Sequence, residues 1–92
     1  MTENKRYGIL LNDFAVAEIG KLLSQWSQSN EYGTYLLAKS VDPNGAFVHV
    51  VIADKPPPGV GPVPDIELQI PHAFIKAIIY AADIKRLGFV AV

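Results

Sequence analysis

Chemistry in this sequence would have to come from a short set of side chains, headed by its two histidines, His49 and His72. Imidazole exchanges protons near neutral pH and ligates metals, so each position is read first as a base or a ligand. His49 lies in a run of strand-forming residues, with Lys39 as its expected neighbour across a hairpin and no carboxylate evidently placed to orient the ring. It therefore reads as a half-buried strand histidine. His72, Lys76, Tyr80 and Asp83 are spaced i, i+4, i+8 and i+11, one stripe of a helix that would unite a base, a cation, a phenol and an acid. At a rise of about 1.5 Å per residue the ends of that stripe stand roughly 16 Å apart, too far to share one reacting centre, and a solvated helix face accounts for the same residues. His49, His72, Lys76 and Tyr80 are therefore carried forward only as polar anchors for a ligand.

The remaining chemical groups are scattered. Ser24, Ser27, Ser29 and Ser40 lie outside any G-x-S-x-G context, and the absence of Cys removes a thiol nucleophile, a disulfide framework and a Cys-based metal site. Asp13, Asp42, Asp54, Asp65 and Glu67 all have structural duties available as cap, turn or strand-end residues, and Asp54 and Asp65, which flank a proline loop, are the pair to inspect for a metal or proton role. Gly59-Val60-Gly61 is followed by Pro62 and a strand, whereas a phosphate cradle needs the N–H groups of a helix start. No catalytic residue, metal site or cofactor is assigned.

The elements that hold these groups are legible in part. Asn12 or Asp13 suits a helix N-cap, and Val16, Ile19, Leu22, Leu23 and Trp26 follow at helical spacing, with Gly20 as a point of close backbone packing and Ser27-Gln28-Ser29-Asn30 as the end. Residues 7–11 are a short strand or an apolar lead-in. Asp42-Pro43-Asn44-Gly45 is a turn signature between two strand-like runs, 34–41 and 46–54, with Gly45 in a left-handed bulge position. Setting Asp42 opposite Ala46 gives one core face of Leu36, Ala38, Ser40, Val48, Val50 and Ile52, and a second face of Tyr35, Leu37, Val41, Phe47 and Val51 around a Lys39–His49 pair. That second face is the expected partner or dimer surface.

Pro56, Pro57, Pro58, Val60 and Pro62 make an extended loop that forbids a regular ladder and can grip a partner or simply join two strands; it contains no P-x-x-P. Ile66, Leu68 and Ile70 then alternate against Glu67 and Gln69 as a third strand stopped by Pro71. From Pro71 the spacing of Phe74, Ile75, Ile78, Ile79, Ala82 and Ile84, with Gly88 as a C′ residue, predicts a second helix through Leu87. Residues 89–92 dock as a short strand or lie in a groove.

The predicted fold class is therefore α+β: a mainly antiparallel three- to four-stranded sheet with two helices, in the order (β)-α-β-β-β-α, occupying residues 7–92 after a flexible tail of 1–6. With 92 residues there is room for one such domain, and 50% hydrophobic against 18% charged residues gives it material for a core. The α-β-β-β-α order is similar, in element order only, to double-stranded-RNA-binding domains, but the helix that would meet phosphates opens with a lone lysine. A net charge of −1 further disfavours nucleic acid. A polar opening and the lack of any long apolar run predict no export signal and no membrane span, hence a cytoplasmic protein. The expected function is non-catalytic: self-association as a homodimer and docking on a protein partner. The alternatives are a small-molecule binder or enzyme with a pocket between the sheet and the second helix, capped by the proline loop, and weak RNA binding.

Overall fold

The short polar residue Asn12 sets the first corner of the chain. In the computed structural model, which describes residues 6–52, 58–61, 64–81 and 88, β1 (Arg6–Leu11) runs into Asn12, whose side-chain oxygen accepts a 2.9 Å hydrogen bond from the Ala15 N–H and caps α1 (Asp13–Ile19). The helical spacing beyond Ile19 is not used for a longer helix. Residues 20–26 continue as turns, which still bring Leu23 and Trp26 onto the core. Gly20 is close-packed as expected, because a Cβ there would collide with the Val16 carbonyl oxygen.

The described residues hold six further strands: β2 (Ser27–Asn30), β3 (Gly33–Ala38), β4 (Ser40–Asp42), β5 (Phe47–Ile52), β6 (Ile66–Pro71) and β7 (Ile75–Ala81). They form two antiparallel sheets, a four-stranded one in the order β2-β3-β1-β7 and a three-stranded one in the order β4-β5-β6. The chain crosses between the sheets twice, at Lys39 between β3 and β4 and through a 3-10 turn, His72–Phe74, between β6 and β7. The main core lies between them, built from Ile9, Leu11, Leu36 and Ala38 on one side, Val48, Val50, Ile52 and Ile70 on the other, and Ala15 and Leu23 from the helical segment.

The class is thus α+β with antiparallel sheets, as the sequence implies, but the described residues hold one α-helix instead of two. The second helix predicted from Pro71 is overturned over 75–81, which pairs with β1 in the register Ile9↔Ile78 and Leu10↔Ala77. An apolar run of this length suits a strand as well as a helix, and Ile75, Ile78, Ile79 and Tyr80 are β-formers. Without β7, β1 would bury backbone groups along one side with no partner. Residues 82–87 and 89–92 lie outside the described residues, as do 1–5; Arg6, assigned above to the tail, already belongs to β1. Over the described residues the element order is β-α followed by six strands, which differs from that of the RNA-binding domain.

The hairpin also departs from its expected register. Asp42 lies opposite His49, and Ser40 opposite Val51, three residues from the pairing that would set Asp42 against Ala46. Asp42 Oδ1 accepts bonds from the Asn44 N–H at 3.0 Å and its side-chain amide at 3.1 Å, which turns the chain locally. Gly45 has no positive φ; among the described residues that conformation falls to Gly33, Gly59 and Gly88. The slip originates at Lys39, where the chain bends, its N–H donates to the Val51 carbonyl at 2.9 Å, and the alternation jumps from Ala38 to Val41 as the next inward residue. Leu36, Ala38, Val48, Val50 and Ile52 are buried as expected; Ser40 is exposed.

Candidate functional site

Among the described residues four strands form the edges of the two sheets: β2 and β7 in one, β4 and β6 in the other. A bare edge offers unpaired N–H and C=O groups to any other strand, and proteins usually blunt it with shortness, charge or proline. β4 has three residues; β2 reads Ser-Gln-Ser-Asn; β6 presents Glu67 and Gln69 and ends on Pro71. β7 has none of these devices over Ala77–Ala81, and among the described residues no strand pairs with its outer side. It also carries apolar side chains into solvent: Ile78 is 37% and Tyr80 50% exposed, with the Tyr80 ring tilted at 41° against Tyr7 across the β1–β7 pair at a centroid distance of 4.7 Å.

The start of the same strand borders a cleft. Leu10 faces Ala77 and Leu11 faces Ile75, so Lys76 is the extra residue of a bulge, a device that re-aims a side chain. Lys76 lines a cleft of about 340 Å³ together with Leu11, Asn12, Asp13 and Val16 from the entry to α1, and Tyr32, Gly33 and Thr34 from the β2–β3 turn. The turn is tied by a 2.8 Å bond from the Tyr32 N–H to Asn30 Oδ1, with Gly33 at a φ of +124° that favours glycine. Asn12 is fully engaged: besides capping α1 it donates from its N–H to the Phe74 carbonyl at 3.1 Å and from Nδ2 to Ala73 at 2.6 Å, which locks the helix start to the 3-10 turn.

A third group lies on the outer face of the three-stranded sheet. His49 has Asp42 and Gln69 as cross-strand neighbours, and its Nε2 lies 2.9 Å from Glu67 Oε1. His49 is a half-buried strand residue, as expected, but the Glu67 carboxylate lies beside its ring where none was foreseen, and Lys39, the neighbour expected there, pairs instead with Asp65 at 2.7 Å. His72 Nε2 lies 2.9 Å from the Gly45 carbonyl oxygen, which fastens the 3-10 turn to the β4–β5 loop. Among the described residues no three His, Asp or Glu side chains converge to hold a metal ion.

The structure separates the residues expected to form one partner surface. Tyr35 is only 2% exposed and packs with Leu10, and half-buried Leu37 packs on that same cluster behind the four-stranded sheet. Val41 packs into the main core, while Phe47 and Val51 lie on the outer face of the three-stranded sheet, Phe47 exposed and Val51 half-buried. The physical reason is the sheet change at Lys39, which sends the two ends of the run 34–41 into different sheets. The polar anchors are likewise apart: His49 on the outer face, His72 in the 3-10 turn, Lys76 in the cleft and Tyr80 at the β7 edge. A pocket under a second helix is not formed over 75–81, because that segment is β7.

Of the proline loop, Pro56, Pro57 and Pro62 lie outside the described residues, as do Asp54 and Asp83; Pro58 and Val60 are exposed. Asp13, Tyr32 and Thr34 had no sequence signal as a group, since 21 positions separate Asp13 from Thr34 and only the β2–β3 turn brings them together. Among the described residues no helix is long and apolar enough to cross a membrane. Comparisons with protein-family models, with curated proteins and with solved structures found no match to this chain.

Proposed function

We propose that this chain is a small, non-catalytic cytoplasmic protein that works by self-association and protein docking, and that two copies join edge to edge along β7. The supporting observation is the contrast among edges: β7 alone of the four is long, apolar and without a blunting device from Ala77 onward, and it places Ile78 and Tyr80 in solvent.

The occupant this edge fits is its own copy. An antiparallel pair about a two-fold axis at Ile78 sets Ile78 against Ile78, Ala77 against Ile79 and Lys76 against Tyr80. No charge then meets its like. The two four-stranded sheets become one sheet continuous across the axis.

The test is solution mass by light scattering over a roughly hundredfold concentration range, on the native chain and on Ile78→Lys and Ile78→Glu. The native chain is expected to be a dimer and each variant a folded monomer, with dissociation constants raised at least about a hundredfold. Equimolar mixing of the two variants should restore the dimer, because the axis places position 78 against itself and Lys then meets Glu. A native chain that is monomeric throughout, or variants that dimerise as well as it does, would overturn the reading.

A further inference from the structure

Two opposite charges line the cleft at the start of β7, and among the described residues neither has an ion-pair partner. Lys76 is brought there by the bulge and Asp13 by the first turn of α1, while Lys39–Asp65 shows that charged groups elsewhere on the molecule do pair. Leu11, Val16, Tyr32 and Thr34 line the same cleft. The volume, about 340 Å³, falls within the size range of small-molecule sites.

We propose that this cleft binds a small zwitterion, an α-amino acid with an apolar side chain. Its carboxylate pairs with Lys76, its ammonium with Asp13, and its side chain lies on Leu11, Val16 and Tyr32. A ligand with one charge would leave either Asp13 or Lys76 unanswered, and a purely apolar one would leave both. The Asn12 amide takes no part, since both its atoms are committed to Ala15 and Ala73.

The cleft shares Lys76 with the β7 edge, so Ile78→Lys supplies the background without edge pairing in which binding is read separately from self-association. The experiment titrates the isotope-labelled full chain, and the same chain carrying Ile78→Lys, with L-leucine, L-leucinamide and isocaproate, following the backbone amides of Asp13, Thr34 and Lys76 by NMR. Leucine should shift these amides and saturate, while leucinamide, lacking the carboxylate, and isocaproate, lacking the amine, should bind at least about tenfold more weakly. Lys76→Gln should erase the preference over leucinamide alone, and Asp13→Asn the preference over isocaproate alone. Leucine that leaves the three amides unmoved at about 50 mM, well above the millimolar affinity of even weak sites, would overturn the proposal. So would analogues that bind as well as leucine, a comparison that needs no variant to fold.

Discussion

The two sheets end differently. On the three-stranded sheet the outer face carries Asp42, His49 and Gln69 in cross-strand register with Glu67 diagonal to His49, and its edges are a three-residue strand and a strand closed by Pro71. On the four-stranded sheet the last strand exposes Ile78 and Tyr80 and leaves its outer backbone unpaired among the described residues. Both sheets face the same core, so hydrophobic demand alone does not explain the difference. A sheet meant to stop is capped by charge, brevity or proline, and only one of these two is capped on both sides. That asymmetry, more than any single residue, directs attention to β7.

The comparison assumes that the sheets share one core and differ only at their margins, and the largest expected effect tests that assumption. Leu36, fully buried in β3, touches the cluster that Val48, Val50 and Ile70 build from the other sheet. Leu36→Ala should cost about 2–5 kcal/mol and lower the denaturation midpoint equally by Trp26 fluorescence and by far-ultraviolet circular dichroism. Phe47→Ala, on the outer face, should cost under about 1 kcal/mol. Separate transitions for the two probes in Leu36→Ala would mean that the sheets unfold independently.

A second substitution sharpens the contrast by loading one sheet only. Glycine to alanine within a helix normally stabilises by about 1 kcal/mol. At Gly20 the added Cβ would meet the Val16 carbonyl oxygen, and the turns that follow carry Leu23 and Trp26 into the core and lead to β2. Gly20→Ala is therefore expected to destabilise by more than about 1 kcal/mol. Hydrogen exchange should quicken in β2 and β3 before it does in β5 and β6; a stabilised variant would show that the segment has room to relax.

What the sequence made legible follows from how local each signal is. The Asn12 cap, the core residues Leu36, Val48, Val50 and Ile52, and the strand at Ile66, Leu68 and Ile70 rest on neighbours within a few positions and were readable. β7 was misread because its apolar residues satisfy helix spacing, and only the waiting edge of β1, some 70 residues earlier, decides for a strand. β2 was invisible because an edge strand of Ser-Gln-Ser-Asn has no apolar alternation to detect. Of the candidate site, the sequence points to Lys76 and Tyr80, yet as parts of a helix stripe and not of a strand. The bulge at Lys76 and the phase slip at Lys39 are one-residue irregularities fixed by tertiary pairing, and no period in the sequence announces them.

The smallest expected effect concerns the capped sheet and decides whether its outer face is only a margin. His49 and Glu67 are diagonal neighbours on β5 and β6, close enough to bond yet largely open to water, the setting in which cross-strand pairs contribute little. A double-mutant cycle with His49→Gln and Glu67→Gln should return a coupling below about 1 kcal/mol, reduced further as salt is added. Such a value fits a solvated ladder whose charges discourage edge pairing. A coupling well above 1 kcal/mol that resists salt would instead mean that the imidazole and carboxylate are shielded in solution, as they would be beneath a partner. The apolar edge of β7 would then lose its claim to be the surface on which this chain docks.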